Sequence, residues 1–209
     1  MRIAIIGTGN VGATLGKLWA ALGHDITFGV RDPAGEKASA LIKEIGGNAA
    51  ASTLLGAVAS ADMVVLAVPW SAAEEVVRGL GQLDSKVLVD ATNPIAPGFE
   101  LAVGHTTSAA EQIAGWASGG RVVKAFNTLG YEHLANPTFG GHALNMFICG
   151  DDDDAKGTVA GLAEELGFDV VDAGAIRNAG LLESLALLWI RLALVEGEGR
   201  DIAFKLISR

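Results

Sequence analysis

The chain has 209 residues, half of them apolar, and a formal net charge of −9 at pH 7. That length suits one large domain, or one with a modest extension, and the acidic balance argues against sequence-independent nucleic-acid binding, which needs basic surface. The single cysteine, Cys149, excludes an intramolecular disulfide and suits a cytoplasmic setting, and the four histidines show no metal-ligand spacing, so no metal is expected.

Arg2 to Ile6 is a short apolar run that reads as a buried strand, and no secretory signal precedes it. Gly7-Thr8-Gly9-Asn10-Val11-Gly12 follows and fits G-x-G-x-x-G. Ala13 to Leu22 reads as a helix, with Leu15, Leu18, Trp19 and Leu22 at helical spacing, and Gly23-His24-Asp25 turns into a second strand, Ile26 to Val30. Strand, glycine turn, helix and strand within about 30 residues form the context in which this motif signals dinucleotide binding. Gly7 allows a tight turn, Gly9 lets a pyrophosphate approach the backbone, and Gly12 lets the helix pack close to the sheet. The N–H groups of Asn10, Val11 and Gly12 are then free for phosphates.

The end of the second strand selects the cofactor. NAD-binding versions carry an acid there, roughly 20 residues after the motif, for the ribose 2′-hydroxyl. Here Val30 takes the strand end and Arg31 follows, which favours NADP, because a guanidinium can fork onto a 2′-phosphate. Thr8 and Lys37 add a hydroxyl and a second charge. A register two residues later would make Asp32 an NAD-type acid instead.

Beyond Asp32-Pro33, a helix is expected over Ala34 to Ile45, a third strand over Asn48 to Ala51 and a short helix over Ser52 to Ala59. Met63 to Val68 is apolar on both faces, as a parallel-sheet strand requires, and Pro69-Trp70 ends it. Ligands in open α/β sheets lie beyond the carboxyl ends of strands, so Val68, Pro69 and Trp70 fall along a cofactor path, although Trp70 equally suits a core or helix-start position. Ser71 with Glu74 makes a capping-box pattern for a helix to about Leu80. Lys86 to Asp90 is another strand, and Asn93 beyond it is placed for the ribose or nicotinamide amide, or for an ordinary Asn-Pro turn. Ile95 to Gly104 reads as a loop and candidate lid, and Ser108 or Thr107 caps a helix through Trp116.

Arg121 to Phe126 is the next strand, with Asn127 and Thr128 at its carboxyl end as candidates for polar contacts to a second substrate. The irregular stretch Tyr131 to His142 is expected to border that substrate's site. Leu144 to Cys149 is a strand, with Cys149 a buried structural thiol. Asp151 to Asp154 reads as charge at a helix N-terminus rather than a calcium loop. Phe168 to Val171 is the last strand, and Asn178 caps a leucine-rich helix through about Val195. That helix is apolar around most of its circumference and must be buried; with Glu183 and Arg191 it falls short of the roughly 20 clean apolar residues of a membrane span, so no membrane partner is expected. Core packing and a homodimer interface account for it.

The alternation of strands and helices gives an α/β, Rossmann-type doubly wound, mostly parallel sheet with a C-terminal strand-helix extension. Residues 1–120 make the NADP-binding unit, and residues 121–209 complete the sheet, the acceptor pocket and the dimer helix.

The opening G-T-G-N-V-G, Gly-Val-Arg at 29–31, Val-Pro-Trp at 68–70, Cys-Gly-Asp-Asp at 149–152 and Asp-Ala-Gly…Leu-Leu-Glu-Ser-Leu at 172–185 resemble the coenzyme F420-dependent NADP reductases. The segment Val123 to Thr128 looks more like bacterial relatives, and is similar to the cytosolic NADPH domains of the six-transmembrane metalloreductases. The resemblance implies hydride transfer between NADPH and a deazaflavin, F420, or a flavin-like acceptor. It implies Thr8 and Arg31 on the 2′-phosphate, Asn10 and Val11 on the pyrophosphate, and Val68, Pro69 and Trp70 along the cofactor. Val30 and Asn127-Thr128 depart from it, standing where archaeal members have Ser and His-Thr. Hydride transfer needs no protein nucleophile, so no catalytic residue is named. Two other readings stay open: a small-carbonyl dehydrogenase, which needs a positioned acid, and a non-catalytic NADP(H)-sensing module.

Overall fold

The computed structural model describes residues 1–104 and 106–207. The chain alternates β1 (Arg2–Ile6), α1 (Asn10–Ala21), β2 (Asp25–Gly29), α2 (Glu36–Ile45), β3 (Ala49–Ser52), α3 (Leu54–Ser60), β4 (Met63–Leu66), α4 (Trp70–Arg78) and β5 (Val87–Asp90). A small hairpin follows, β6 (Ile95–Ala96) with β7 (Glu100–Leu101), built around Pro97-Gly98 in the stretch read as a loop. Then come α5 (Ala109–Trp116), β8 (Arg121–Lys124), a second hairpin of β9 (Thr138–Phe139) and β10 (His142–Ala143), β11 (Asn145–Gly150), α6 (Asp153–Glu165), β12 (Asp169–Asp172) and α7 (Ala179–Leu194).

Eight strands form one sheet in the order β12-β11-β8-β5-β4-β1-β2-β3. The six from β3 to β8 are parallel, so their carboxyl ends share one edge. β11 runs antiparallel to β8, which carries its first residue, Asn145, to that same edge. The fold is the mostly parallel Rossmann-type sheet that the alternation predicts. Strands β1, β4 and β5 are buried on both faces because helices cover both sides. One core lies between the sheet and α1 and α6, where Trp19 meets Phe126 edge-on at 5.5 Å and donates its indole N–H to the Leu162 carbonyl. A second lies under α3, α4 and α5.

Helix starts follow side-chain chemistry in some places and not in others. Ser108 and Glu111 close a complete capping box at α5. Asp152 caps α6 by accepting the Ala155 N–H at 2.7 Å, with Asp153 and Asp154 in the first turn, where the helix dipole favours them. Asp151 instead accepts the Ile176 N–H. At α4 the expectation fails: Pro69 is the capping residue, Ser71 already lies inside the helix, and Glu74 pairs with Arg78 one turn on. At α7 a 3₁₀ turn, Ile176–Asn178, feeds straight into the helix, and the Asn178 amide donates to the Ala173 carbonyl rather than capping.

α7 is also less buried than its composition suggests. Leu182, Ala186, Trp189 and Ala193 face the body, whereas Leu181, Leu188 and Val195 are exposed. Among the described residues, no helix is long and apolar enough to cross a membrane.

Candidate active site

The glycine turn takes the shape its motif requires. Gly7 sits at φ +112°, and a Cβ there would lie 2.3 Å from the Ala67 carbonyl oxygen, so only glycine lets β1 turn this close to β4. A Cβ at Gly12 would come 2.4 Å from the Gly7 carbonyl, which ties the start of α1 to the turn. Gly9 is the N-cap of α1, and a Cβ there would meet open space. The first α-helical bond runs from Ala13 N–H to the Gly9 carbonyl at 2.8 Å, leaving the N–H groups of Asn10, Val11 and Gly12 outside the ladder. No acidic side chain stands in that first turn to occupy them.

From this helix end a cleft of about 650 Å³ opens at the carboxyl ends of β1, β4 and β5. Gly9, Asn10 and Val11 line it with Val68, Pro69, Trp70 and Asn93. Trp70 has both roles open to it: it starts α4, stacked on Trp116 at 5.6 Å, and it lines the cleft. Val30 N–H donates to the Ser52 carbonyl, continuing the strand ladder one residue past β2. Arg31 is therefore the first residue off the strand, and its side chain is exposed. Asp32 is engaged in the turn to α2, where its carboxylate accepts the Ala34 N–H. Thr8, in the turn between β1 and α1, and Val30, Arg31 and Lys37, from the end of β2 to the start of α2, lie outside the cleft lining.

Asn127 and Thr128 do not line the cleft; they are 5% and 4% exposed. Phe126, at φ +59°, bends the chain out of β8 in a conformation that bulky residues rarely adopt. The bend lets Asn127 grip Asn93 from beneath: Asn93 donates to the Asn127 carbonyl at 2.9 Å, and the Asn127 amide donates to the Asn93 side-chain oxygen at 3.0 Å. Asn127 also donates to the Leu182 carbonyl on α7. Asn127 thus fixes the residue that does face the cleft.

Beneath Asn93 lies a charge cluster. Lys124 is completely buried, 2.9 Å from Asp90, its partner in the β5–β8 register, and 3.1 Å from Glu183 on α7. Its ammonium also donates to the Thr92 carbonyl at 2.6 Å. The Glu183 carboxylate accepts the N–H groups of Ala109 and Ala110 at the start of α5, where the helix dipole favours an anion. Burial works against the Lys124 charge, but Asp90 and Glu183 outweigh it and hold its pKa above the ordinary value. The side-chain oxygens of Thr92 and Asn127 are buried with no partner among the described residues. Cys149, paired with Lys124 across β11 and β8, is buried, which pushes its thiol up to about 12.

The cleft is also lined by Tyr131 and Glu132, at the start of the irregular stretch expected to border a second substrate, and by Arg200. Arg200 had no motif to mark it; only Gly197 and Gly199 signal that the chain turns after α7. The Lys124 cluster did have a signal, a lysine and an aspartate inside or ending otherwise apolar strands, since charges so placed need partners.

Residues 2–94 match the model of a family described as NADP oxidoreductase, coenzyme F420-dependent. Over the whole length of both chains, the protein is 33% identical to a candidate F420-dependent NADP-reductase from Arthrobacter sp. FB24, with a TM-score of 0.91. The chain belongs to the coenzyme F420-dependent NADP oxidoreductase family. The hypothetical protein SMa0349 from Sinorhizobium meliloti is 29% identical, at a TM-score of 0.77 over 100% of this chain and 96% of that one. Metalloreductase STEAP3 from Rattus norvegicus is 29% identical over 187 residues, 89% of this chain, and the chain spans only 36% of that protein's length.

The residues present fit the cofactor of an F420-dependent NADP oxidoreductase. Three N–H groups with no partner among the described residues, at a helix end without acidic side chains, suit a pyrophosphate, the space beside Gly9 admits it, and the exposed guanidinium of Arg31 stands where β2 ends.

Proposed function

We propose that this protein transfers hydride between NADP(H) and a deazaflavin or flavin-like acceptor. The observation that carries the reading is the continuity of the cleft: the helix end that suits a pyrophosphate and the wall of Tyr131, Glu132 and Arg200 line one space. An open wall beside Asn93 favours a second substrate over a sensor, in which packed side chains would fill that space.

When bound, NADPH supplies the hydride, and the protein supplies position and exclusion of water. Asn10, Val11 and Gly12 donate to the pyrophosphate. Arg31 forks onto the 2′-phosphate, aided by Thr8 and Lys37, and this sets the preference for NADP over NAD. Val68, Pro69 and Trp70 give an apolar side to the cofactor path. Asn93, held from beneath by Asn127, meets the ribose or carboxamide. Tyr131 keeps a second reading in play, because a phenol in the cleft suits proton donation to a small carbonyl substrate. The exposed face of α7 suits a homodimer interface.

Anaerobic oxidation of NADPH with F420, with FMN and with a panel of small ketones, each repeated with NADH, tests this. Turnover with F420 or FMN and NADPH, with NADH far slower, is expected. Arg31→Ala should raise the KM for NADPH by about tenfold to a hundredfold, the loss of a charge-assisted fork, while leaving NADH nearly unchanged. Tight NADPH binding without turnover of any acceptor would favour the sensor, and turnover of ketones alone the carbonyl dehydrogenase.

A further inference from the structure

Part of the cleft wall is supplied by a segment that is neither helix nor strand. After α7, residues 195–207 fold back across the sheet edge, held by side-chain bonds to the body. The Trp189 indole donates to the Ile202 carbonyl at 2.6 Å, Lys205 donates to the Ala143 carbonyl at 2.6 Å, and the Asn145 side chain accepts the Leu206 N–H at 2.6 Å. The reversal of β11 is what places Asn145 at that edge.

This strap presents Arg200, the only cation among the described residues that line the cleft. Its guanidinium lies over two aromatic rings, 5.6 Å from the Tyr131 centroid and 5.4 Å from that of Trp189, and His133 donates to its carbonyl at 2.7 Å. It forks onto the Glu132 carboxylate, with Nη2 2.9 Å from Oε2. The pair is open to water, with side chains 40% and 34% exposed, so solvent and salt screen its attraction although the fork is well formed. The mounting of the guanidinium does not depend on the ion pair alone. The two rings and the strap fix the guanidinium whether or not Glu132 is its partner, and a fixed guanidinium is a receptor for a carboxylate or phosphate.

We infer that Arg200 is the docking point for an anionic group, phosphate or carboxylate, on the hydride acceptor, and that Glu132 occupies it as an exchangeable placeholder. The inference rests on the proposed reading that the second substrate is a flavin- or deazaflavin-like molecule. Exchange is cheap because a carboxylate as exposed as that of Glu132 returns to water when displaced, and the guanidinium keeps a charged partner throughout. Arg200 thereby sets specificity for acceptors that carry negative charge and leaves the cofactor to the α1 end and Arg31.

FMN and riboflavin test this directly, since they share one ring system and differ by a phosphate. Equilibrium binding of each to the NADP⁺-saturated protein should show FMN bound about tenfold or more tightly than riboflavin. Arg200→Gln should abolish that ratio by weakening FMN alone, Arg200→Lys should restore part of it, and Glu132→Gln should tighten FMN by removing the competing anion. Three results would overturn the inference: wild-type protein that does not distinguish the two flavins, equal weakening of both in Arg200→Gln, or weaker NADPH binding in that variant, which would assign Arg200 to the cofactor. An unchanged thermal midpoint in Arg200→Gln separates these outcomes from misfolding. The binding ratio is read without turnover, so a protein that discriminates the flavins but reduces neither them nor F420 would sink the proposed activity and not the role of Arg200.

Discussion

Lys124 carries two carboxylates on one ammonium in a place that water does not reach. Three charges out of water are expensive, and this arrangement survives because every one of them has partners: Lys124 has Asp90, Glu183 and the Thr92 carbonyl, and Glu183 has two helix N–H groups besides. Its result is positional, since it ties β5, β8, α5 and α7 together directly beneath Thr92 and Asn93. Removing the cation strands two buried anions. Lys124→Met should therefore cost about 3–5 kcal/mol in urea unfolding, and a loss under about 1 kcal/mol would show that the carboxylates take up protons or water without penalty. The pH dependence has a definite sign. A lysine whose folded pKa is raised contributes stability that is whole below its ordinary value of 10.5 and is lost as pH climbs through the higher folded value. Wild-type stability should carry that loss on the alkaline side of 10.5, and the Met variant should lack it.

Among the elements, α1 shows both how legible the sequence is and where legibility stops. Its place, its glycine turn and the N–H groups left outside its ladder follow from the run Gly7 to Gly12 between two apolar strands, because Gly7 and Gly12 answer local steric demands and Gly9 leaves space beside the helix end. Gly16 carries no motif, yet its Cβ would lie 2.4 Å from the ring of Phe28 on β2. That demand is tertiary and appears only when the helix is docked. Gly16→Ala sets two effects against each other: alanine favours the helix by about 1 kcal/mol, whereas overpacking a closed contact costs about 1–3 kcal/mol. Phe28 is fully buried, so overpacking should win, giving a net loss in chemical denaturation and weaker NADPH binding as α1 shifts from β1. A net gain would mean that Phe28 turns aside freely. The same division explains the misread caps. Ser71 and Asn178 are sound capping residues by type, but Pro69 starts α4 before Ser71 is reached and a 3₁₀ turn runs straight through Asn178. The wall formed by Arg200 was the least legible, because it joins residue 200 to residues 131 and 132 through a strap with no periodic pattern.

At the scale of the whole molecule, the unresolved economy is the outer face of α7. Leu181, Leu185, Leu188 and Leu192 recur at intervals of four, three and four residues along α7, with Val195 just past its end, and Leu185 and Leu192 are the partly buried members of this stripe. Leu181 is 69% exposed, and Leu188 and Val195 are each 48% exposed. A stripe with this spacing suits side-by-side helix packing, and in the proposed homodimer a second copy of α7 would supply the complementary stripe under two-fold symmetry. With a net charge of −9 per chain, two copies repel at long range, so in such a dimer the apolar seam would have to supply the attraction. The proposed homodimer then has a sharp test. Sedimentation at micromolar concentration should give a dimer for the wild type and a monomer for Leu188→Glu, because the substitution sets two like charges near the centre of the seam. Leu188 points away from the cores, so the variant should keep its thermal unfolding transition and its NADPH affinity. A wild-type monomer, or a Leu188→Glu variant that stays dimeric, would place the interface elsewhere and leave the stripe without an occupant.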